Sequence, residues 1–88
     1  MKLDECRPEV RAFALLMEQR LRRNDYKPGW QNESPADLLD RADEQIYKAR
    51  TEWEADHGQI EIYADQTVDC ANYCMMVLDR LRMLPKET

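Results

Sequence analysis

Apolar residues recur along much of this chain at spacings of three and four, which is the period of one face of an α-helix. The first stripe follows Pro8, a residue suited to the first turn of a helix, and it ends near Asn24. Its members are Val10, Phe13, Ala14, Met17 and Leu21. The polar stretch "NDYKPGWQNESP" comes next and is typical of a loop. The pattern therefore predicts a first helix over about residues 8–24.

A second helix is predicted over about residues 35–56. Ser34 offers a hydroxyl cap, Pro35 suits the first helical position, and Asp37 lies three residues after the cap. The apolar stripe that follows consists of Leu38, Leu39, Ala42, Ile46, Ala49 and Trp53. Gly58 can adopt the left-handed conformation that ends many helices, so we expect the second helix to stop just before it.

The third helix is predicted over about residues 59–84, because Pro85 cannot continue it. Its apolar positions are Tyr63, Ala64, Val68, Cys70, Ala71, Cys74, Met75, Met76, Leu78 and Leu81. A helix that is apolar on more than one side usually contacts more than one neighbour. Three helices in a chain of 88 residues cannot cover this surface alone. We therefore predict one all-α domain of three main helices, a helical bundle that is completed by homodimerisation.

The net charge of the chain limits the kinds of partner that we expect it to bind. Its formal net charge is −5, and acids surround its local clusters of arginine. Because proteins that grip duplex phosphates usually carry a basic stripe, we expect no duplex nucleic acid partner, whereas a basic protein partner fits. No apolar run is long enough for a membrane span, and "MKLDECRPEV" lacks the apolar core of a signal peptide. A cytoplasmic location without membrane contact is expected.

Three cysteines raise the question of a thiol metal site. Cys70 and Cys74 lie one helical turn apart and could join His57 or Cys6 in a soft metal site. No CxxC spacing is present. Free cysteines more commonly act as small apolar side chains in protein interiors, and we favour that interpretation.

The pieces "LRRNDYKPGW", "SPADLLDRADEQ" and, after a gap, "DCANYCMM" stand in a characteristic order. In this order, residues 15–79 resemble the MazG-like all-α nucleoside triphosphate pyrophosphohydrolases, in particular the short forms found among tailed-phage and prophage proteins. The last piece is the most specific, since family members commonly carry Ala-Asp-Val-Ala-Asn-Phe followed by small or apolar residues. The resemblance covers about three quarters of the chain and implies a MazG-like helical bundle.

The resemblance also implies a chemistry that depends on particular acids. Family members split a nucleotide between its α and β phosphates, with Mg²⁺ neutralising charge and activating water. Mg²⁺ prefers hard oxygen ligands in octahedral array. The family supplies these oxygens as Glu-Glu-x-x-Glu on one helix and Glu-x-x-Asp on the next. Spacings of three place each pair on one helix face, so the acids converge.

Most of these acids are missing here. The first motif falls on Glu44, Gln45 and Lys48, and the second falls on Gln66 and Asp69. Two unit charges about 4 Å apart interact by about 4 kcal/mol at an effective dielectric of about 20, so an ammonium in place of a carboxylate changes the local energy of a metal ion by about twice that amount. We therefore expect no catalytic residues, no metal ligands and no cofactor.

The sequence is also compatible with one alternative metal site. Asp43, Glu52 and Asp65 lie one step or one turn from the replaced positions. A slipped site could regroup Glu44, Asp65 and Asp69, since the two aspartates share a helix face at a spacing of four. Such a site would restore metal-dependent hydrolysis.

The retained features favour a pseudoenzyme that binds a nucleotide or a related phosphate ligand without cutting it. The predicted ligand-binding residues are Trp30, Glu44, Lys48, Asp69, Asn72 and Tyr73. Lys48 would replace the metal charge beside Glu44 and Asp69, or contact a phosphate directly. Trp30 would stack on a base, because stacking tolerates many bases. The amide of Asn72 would read the edge of a base or sugar.

The same residues also have structural interpretations. Lys48 can form a ladder of ion pairs with Glu44 and Glu52 at spacings of four. Trp30 can act as a plug that closes the bundle. A buried Asp69 needs a partner, which Lys48 or an arginine from the same or another subunit could supply.

Two other functions remain as alternatives. A small acidic phage inhibitor of a host protein would act through its surface, and its cleft would be filled by side chains or closed by a salt bridge. A residual Mg²⁺-dependent pyrophosphohydrolase would release pyrophosphate. A nucleotide binder, by contrast, is expected to keep an open polar cleft lined by Glu44, Lys48, Asp69 and Tyr73.

Overall fold

The computed structural model describes residues 1–55 and 60–86, and the regular structure in these ranges is entirely helical. Helix α1 spans Pro8–Arg23, α2 spans Pro35–Ala55 and α3 spans Ile60–Arg80. A single 3-10 turn, Leu3–Glu5, precedes them. The predicted all-α class with three main helices is therefore confirmed. The expected stop at Gly58 lies outside the described residues.

The start of α2 follows the predicted capping pattern. Ser34 Oγ accepts a hydrogen bond of 3.1 Å from the backbone N–H of Asp37, and Pro35 occupies the first helical position. The hydroxyl thereby satisfies one of the N–H groups that have no partner within a helix. This cap fixes the point at which the loop before α2 ends.

Helix α3 ends four residues earlier than the pattern predicts. Arg82 adopts a left-handed conformation with φ of 57°, and its N–H donates to the carbonyl of Asp79 at 3.0 Å. The N–H of Met83 donates to the carbonyl of Leu78 at 2.8 Å. These two bonds form a Schellman ending, which usually carries glycine at the left-handed position. An arginine there gives no sequence signal for the stop.

Helices α2 and α3 form an antiparallel hairpin, and α1 packs against α3. The core between them is small: Leu38 is fully buried and contacts Met76 and Val77. The part-buried side chains packed around this cluster are Leu21, Trp30, Tyr73 and Met75. At the other end of the hairpin the rings of Trp53 and Tyr63 meet with centroids 5.6 Å apart. No helix among the described residues has both the length and the apolar character that crossing a bilayer requires.

Candidate ligand-binding cleft

A cleft of about 580 Å³ opens between the loop of residues 24–34 and the three helices. Its volume falls within the range of about 300–1,000 Å³ that is usual for small-molecule sites. Helix α1 contributes Arg20, α2 contributes Arg41 and Gln45, and α3 contributes Asn72 and Tyr73. The wall therefore combines cations, amides and two aromatic rings with four carboxylates, those of Glu18, Asp25, Glu33 and Asp69.

The loop beside the cleft is held by contacts to both hairpin helices. The indole N–H of Trp30 donates to Asp79 at 2.8 Å. Arg80 Nε donates to the backbone carbonyl of Glu33 at 3.0 Å, and the carboxylate of Glu33 pairs with Arg41 at 2.6 Å. These contacts attach the loop to the end of α3 and the beginning of α2, which places the cleft at that end of the hairpin.

Asp69 is bound by an arginine from α1. Arg20 donates from Nε to one carboxylate oxygen at 2.8 Å and from Nη2 to the other at 3.1 Å, so the pair is bidentate. Arg20 also lies 3.4 Å from the carboxylate of Asp65. The hydrogen bonds to Asp69 raise the pKa of Arg20 above its ordinary value, while its partial burial acts in the opposite direction. The charge of Asp69 is thus neutralised within the protein.

Asn72 is the buried polar residue of the cleft, with an exposed fraction of 3%. Its Nδ2 donates to the backbone carbonyl of Met17 at 3.2 Å. Its Oδ1 is buried and accepts no hydrogen bond from the described residues, and the same holds for Oε1 of Gln66 on the same helix. A buried acceptor without a donor costs about 1–3 kcal/mol, so each of these two amide oxygens is an unfavourable feature of α3.

Four of the six predicted site residues line the cleft: Trp30, Asp69, Asn72 and Tyr73. Glu44 lies outside it, in a separate depression of α2 that also contains Asp40 and Asp43. Lys48 is exposed and lines neither of these two depressions. Arg41 and Gln45 are the cleft residues of α2, and Lys48 is almost one further turn from the loop that forms the opposite wall. The expectation that Glu44 and Lys48 line the cleft was therefore wrong.

The acids do not gather in the way that the resemblance implies. Asp65 and Asp69 both lie beside Arg20, and Glu44 is in the other depression. Across residues 1–55 and 60–86, no group of three or more His, Cys, Asp or Glu side chains has the geometry to hold a metal ion. Asp69 takes Arg20 as its partner instead of Lys48. The donor set present does not fit the Mg²⁺ site of the resembled family.

Trp30 contributes to both the core and the cleft. Its ring packs against the cluster around Leu38, and its N–H is taken by Asp79. It is also one of the residues that line the cleft. The contacts give Trp30 a bracing role at the loop end of the bundle and leave it next to any bound ligand.

Three cations of the cleft were not among the predicted site residues: Arg20, Lys27 and Arg41. A sequence signal existed for Arg20, because it lies between Met17 and Leu21 and so borders the apolar stripe of α1. Lys27 forms no ion pair within the described part of the chain. It is therefore available to an anionic ligand, whereas the other two are paired.

Within residues 1–55 and 60–86, Cys6, Cys70 and Cys74 belong to no group of three or more side chains that could hold a metal ion. Burial, followed by the proximity of the Cys74 thiol and of Asp43, raises the pKa of Cys70. Cys6 contacts Met1 near the start of the chain, with their sulfur atoms 3.8 Å apart. His57 lies outside the described residues. Cys70 accordingly remains a protonated, part-buried side chain at neutral pH.

Comparison of this chain with protein-family models, with curated proteins and with solved structures finds no match.

Proposed function

We propose that this chain is a MazG-like pseudoenzyme of the phage type, which binds a nucleotide or a related phosphate ligand in the cleft without metal-dependent hydrolysis. One observation carries the proposal: both oxygens of Asp69 are held by Arg20 at 2.8 and 3.1 Å. Asp69 occupies the one acidic position of the second family motif that this chain retains. An acid that is neutralised by a guanidinium is a poor ligand for a divalent cation.

The remaining chemistry of the cleft supports a phosphate-bearing ligand. Lys27 supplies a positive charge that contacts the ring of Tyr26 but forms no ion pair among the described residues, and Arg41, which pairs with Glu33, lines the same cleft. Trp30 and Tyr73 offer aromatic surfaces to a base. Asn72 lines the cleft beside Tyr73 and adds an amide side chain to its wall. In this proposal the side chains of the cleft contact the ligand directly, whereas in the resembled family metal ions bridge the protein and the phosphates.

A thermal-shift titration without metal tests this proposal. A ligand at about 100 times its Kd stabilises the folded state by about 2.7 kcal/mol. For a domain of this size that corresponds to a rise in Tm of roughly 10–20 °C. The titration is run in a chelator against nucleoside mono- and triphosphates, cyclic nucleotides and cyclic dinucleotides. We expect at least one of them to raise the Tm.

Two lysine variants provide the matched control. Lys27→Ala removes the cleft cation that forms no ion pair among the described residues and is expected to abolish the shift. Lys48→Ala removes an exposed lysine outside the cleft and is expected to retain it. An equal loss in both variants would mean that the shift reports general charge, and the assignment of the cleft would be wrong.

The hydrolase alternative makes a different prediction. A residual enzyme would release pyrophosphate from a nucleoside triphosphate only when Mg²⁺ is added, and Asp69→Ala would abolish that release. Turnover with this metal and residue dependence would replace the pseudoenzyme proposal. We expect none above the rate of the Asp69→Ala variant.

A second candidate function is inhibition of a host protein through surface contact. The Arg20–Asp69 pair in the cleft wall favours it, because an internal salt bridge is what a cleft that no longer serves a ligand would contain. The net charge of −5 suits a basic partner surface. A chain that shows no thermal response to any of the tested nucleotides would favour this function over ligand binding.

A further inference from the structure

The cations and acids that line the cleft nearly balance one another. Its three cations are Arg20, Lys27 and Arg41. Its four acids are Glu18, Asp25, Glu33 and Asp69. With three positive and four negative side chains, the lining has a formal charge of −1. The cleft therefore lacks the surplus of positive charge that would attract a highly charged phosphate chain on its own.

Two of the three cations are already paired with acids of the same lining. All three nitrogens of the Arg20 guanidinium face carboxylates: Nε and Nη2 donate to Asp69 at 2.8 and 3.1 Å, and Nη1 lies 3.4 Å from Asp65. Arg41 pairs through Nη2 with Glu33 at 2.6 Å. A phosphate that took either guanidinium would leave a carboxylate without its partner beside a second anion, which is unfavourable. These two arginines therefore stabilise the walls of the cleft and offer little uncompensated charge to a ligand.

Two charged groups of the lining, Lys27 and Asp25, form no ion pair within the described part of the chain. Glu18, by contrast, pairs with Arg22 at 3.1 Å. The ammonium of Lys27 lies 5.7 Å from the centroid of the Tyr26 ring, a contact that leaves its charge uncompensated. One such cation offsets one ionised oxygen of a ligand, and one such acid opposes any further negative charge.

The small size of the cleft makes this balance of charge decisive. A cavity of about 580 Å³ is roughly 10 Å across, close to the Debye length of about 8 Å at physiological ionic strength, so salt screens its charges from a ligand only in part. A phosphodiester carries one negative charge per phosphate, whereas a phosphomonoester carries about 1.5–2 near neutral pH and a triphosphate carries more. Repulsion by the lining grows with the charge of the ligand. The cleft therefore favours the phosphate of lowest charge.

We propose that the ligand of the cleft is a nucleotide with a single phosphodiester, bound with its one negative charge beside Lys27, and that Asp25 is the residue that discriminates against monophosphates and triphosphates. A carboxylate only accepts hydrogen bonds, so Asp25 suits a hydroxyl or amino group of the ligand and repels a second ionised oxygen. This inference rests on the proposed function of nucleotide binding and adds the class of nucleotide. A cyclic mononucleotide and a linear dinucleoside monophosphate both have this chemistry.

Isothermal titration calorimetry in a chelator at fixed ionic strength tests the preference. For each nucleoside, the ligands are the cyclic mononucleotide, the dinucleoside monophosphate, the monophosphate and the triphosphate. The Kd of the cyclic mononucleotide is expected to be at least ~10-fold below that of the triphosphate, with the monophosphate between them. Equal binding of the cyclic and linear diesters would show that the cleft recognises the charge, and tighter binding of the cyclic one would show that it also selects the ring. Either result supports the proposal.

Two isosteric variants test the role of Asp25. Asp25→Asn removes the repulsion and keeps the shape of the side chain, so the Kd of the triphosphate is expected to fall about tenfold while that of the cyclic mononucleotide changes less than about threefold. Asp40→Asn is the matched control, because it makes the same change at an exposed acid in the separate depression of α2. It is expected to leave both Kd values within about twofold of the natural chain. Circular dichroism checks that both variants remain helical.

Two results would overturn this inference and leave nucleotide binding in place. The triphosphate could bind in the chelator as tightly as the cyclic mononucleotide does. Asp25→Asn could change the ratio of the two Kd values no more than Asp40→Asn does. A chain that shows neither a rise in Tm nor a heat of binding with any nucleotide would instead overturn the proposed function of the cleft, and this inference with it.

Discussion

The two faces of the α2–α3 hairpin differ in the kind of contact they make: one forms polar bonds to α1, and the other presents exposed apolar side chains. On the covered face, Asp69 and Asn72 bind α1 through directional hydrogen bonds to Arg20 and the carbonyl of Met17. The other face, here called the open face, carries an apolar row on α2, and its side chains are half-exposed: Leu39, Ile46 and Trp53. Directional bonds fix the position of one helix, whereas an apolar row only requires that something apolar cover it.

This difference shows which contacts determine how the helices of this small domain are arranged. Its described core contains one fully buried large side chain, Leu38, so packing alone leaves the placement of α1 loosely determined. The guanidinium of Arg20 reaches both oxygens of Asp69 and also lies near Asp65, which defines one position of α1 along α3. The polar face therefore determines the arrangement of the helices, and the apolar face is free for association.

The largest expected effect concerns two neighbouring leucines, one in the core and one on the open face. Leu38 is fully buried and Leu39 is 54% exposed. Leu38→Ala is expected to lower the free energy of unfolding by about 3 kcal/mol, since it removes buried methyl groups and leaves a cavity. Leu39→Ala is expected to lower it by less than about 1 kcal/mol at protein concentrations below the Kd of the dimer. Urea denaturation monitored by circular dichroism measures both values.

The same pair sharpens the comparison at high concentration. If the open face is covered by a second copy, the cost of Leu39→Ala will grow as the protein concentration rises, because unfolding is then coupled to dissociation. The loss of unfolding free energy caused by Leu38→Ala, measured within the monomer, will not grow with protein concentration. Equal costs for both leucines at low concentration would contradict the assignment of core and surface.

A smaller effect is expected from the acids that hold α1. Asp69→Asn keeps the shape of the side chain but removes the charge that faces Arg20, whose side chain is only 26% exposed. The loss is expected to be about 2 kcal/mol, below the 3–5 kcal/mol of fully buried pairs because water still reaches both groups. Asp65→Asn is the matched control. Its side chain is 48% exposed, and the expected loss is below about 1 kcal/mol.

Thermal unfolding of Asp69→Asn and Asp65→Asn measures which of the two acids contributes more to stability. A larger loss for Asp65→Asn than for Asp69→Asn would mean that the 3.4 Å contact, and not the bidentate pair, positions α1. The Arg20→Lys variant adds a second check. Lysine keeps the charge but cannot form the two parallel bonds, so we expect it to recover only part of the stability.

The fold could largely be predicted from the sequence because its signals are local. The spacing of apolar residues by three and four predicts the three helices that the structure contains. The Ser34–Pro35 pair predicts the start of α2, and the hydroxyl of Ser34 caps the helix there. The end of α3 could not be predicted in this way. Arg82 adopts the left-handed conformation with a side chain that ordinarily disfavours it, so the usual glycine signal is missing.

The cleft could be predicted only in part, because its composition depends on contacts that are distant in sequence. Asp69, Asn72 and Tyr73 lie close together on one helix, and their grouping follows from helical spacing. The partner of Asp69 is 49 residues away, on a helix whose position no local pattern determines. Lys48 was misplaced for the same reason: the loop packed at the beginning of α2 decides which turns of that helix border the cleft.

The smallest expected effect distinguishes the two thiols one turn apart on α3. Cys74 is exposed on the open face, whereas burial raises the pKa of Cys70 and keeps its thiol protonated. Labelling with iodoacetamide near pH 8, mapped by peptide mass spectrometry, is expected to modify Cys74 about tenfold faster than Cys70 in dilute protein.

The pH dependence of this pair follows from the direction of the shift. Because the folded-state pKa of Cys70 is raised, its protonated thiol stabilises the folded state below the unfolded value of about 8.5, and this contribution is lost as the pH rises through the folded pKa. Cys70→Ala is therefore expected to show a shallower decline of Tm with alkaline pH than Cys74→Ala does. Identical alkaline slopes for the two variants, together with equal labelling rates in the monomer, would show that the thiols share one environment. The assignment of Cys70 to a covered position and of Cys74 to the open face of the hairpin would then be wrong.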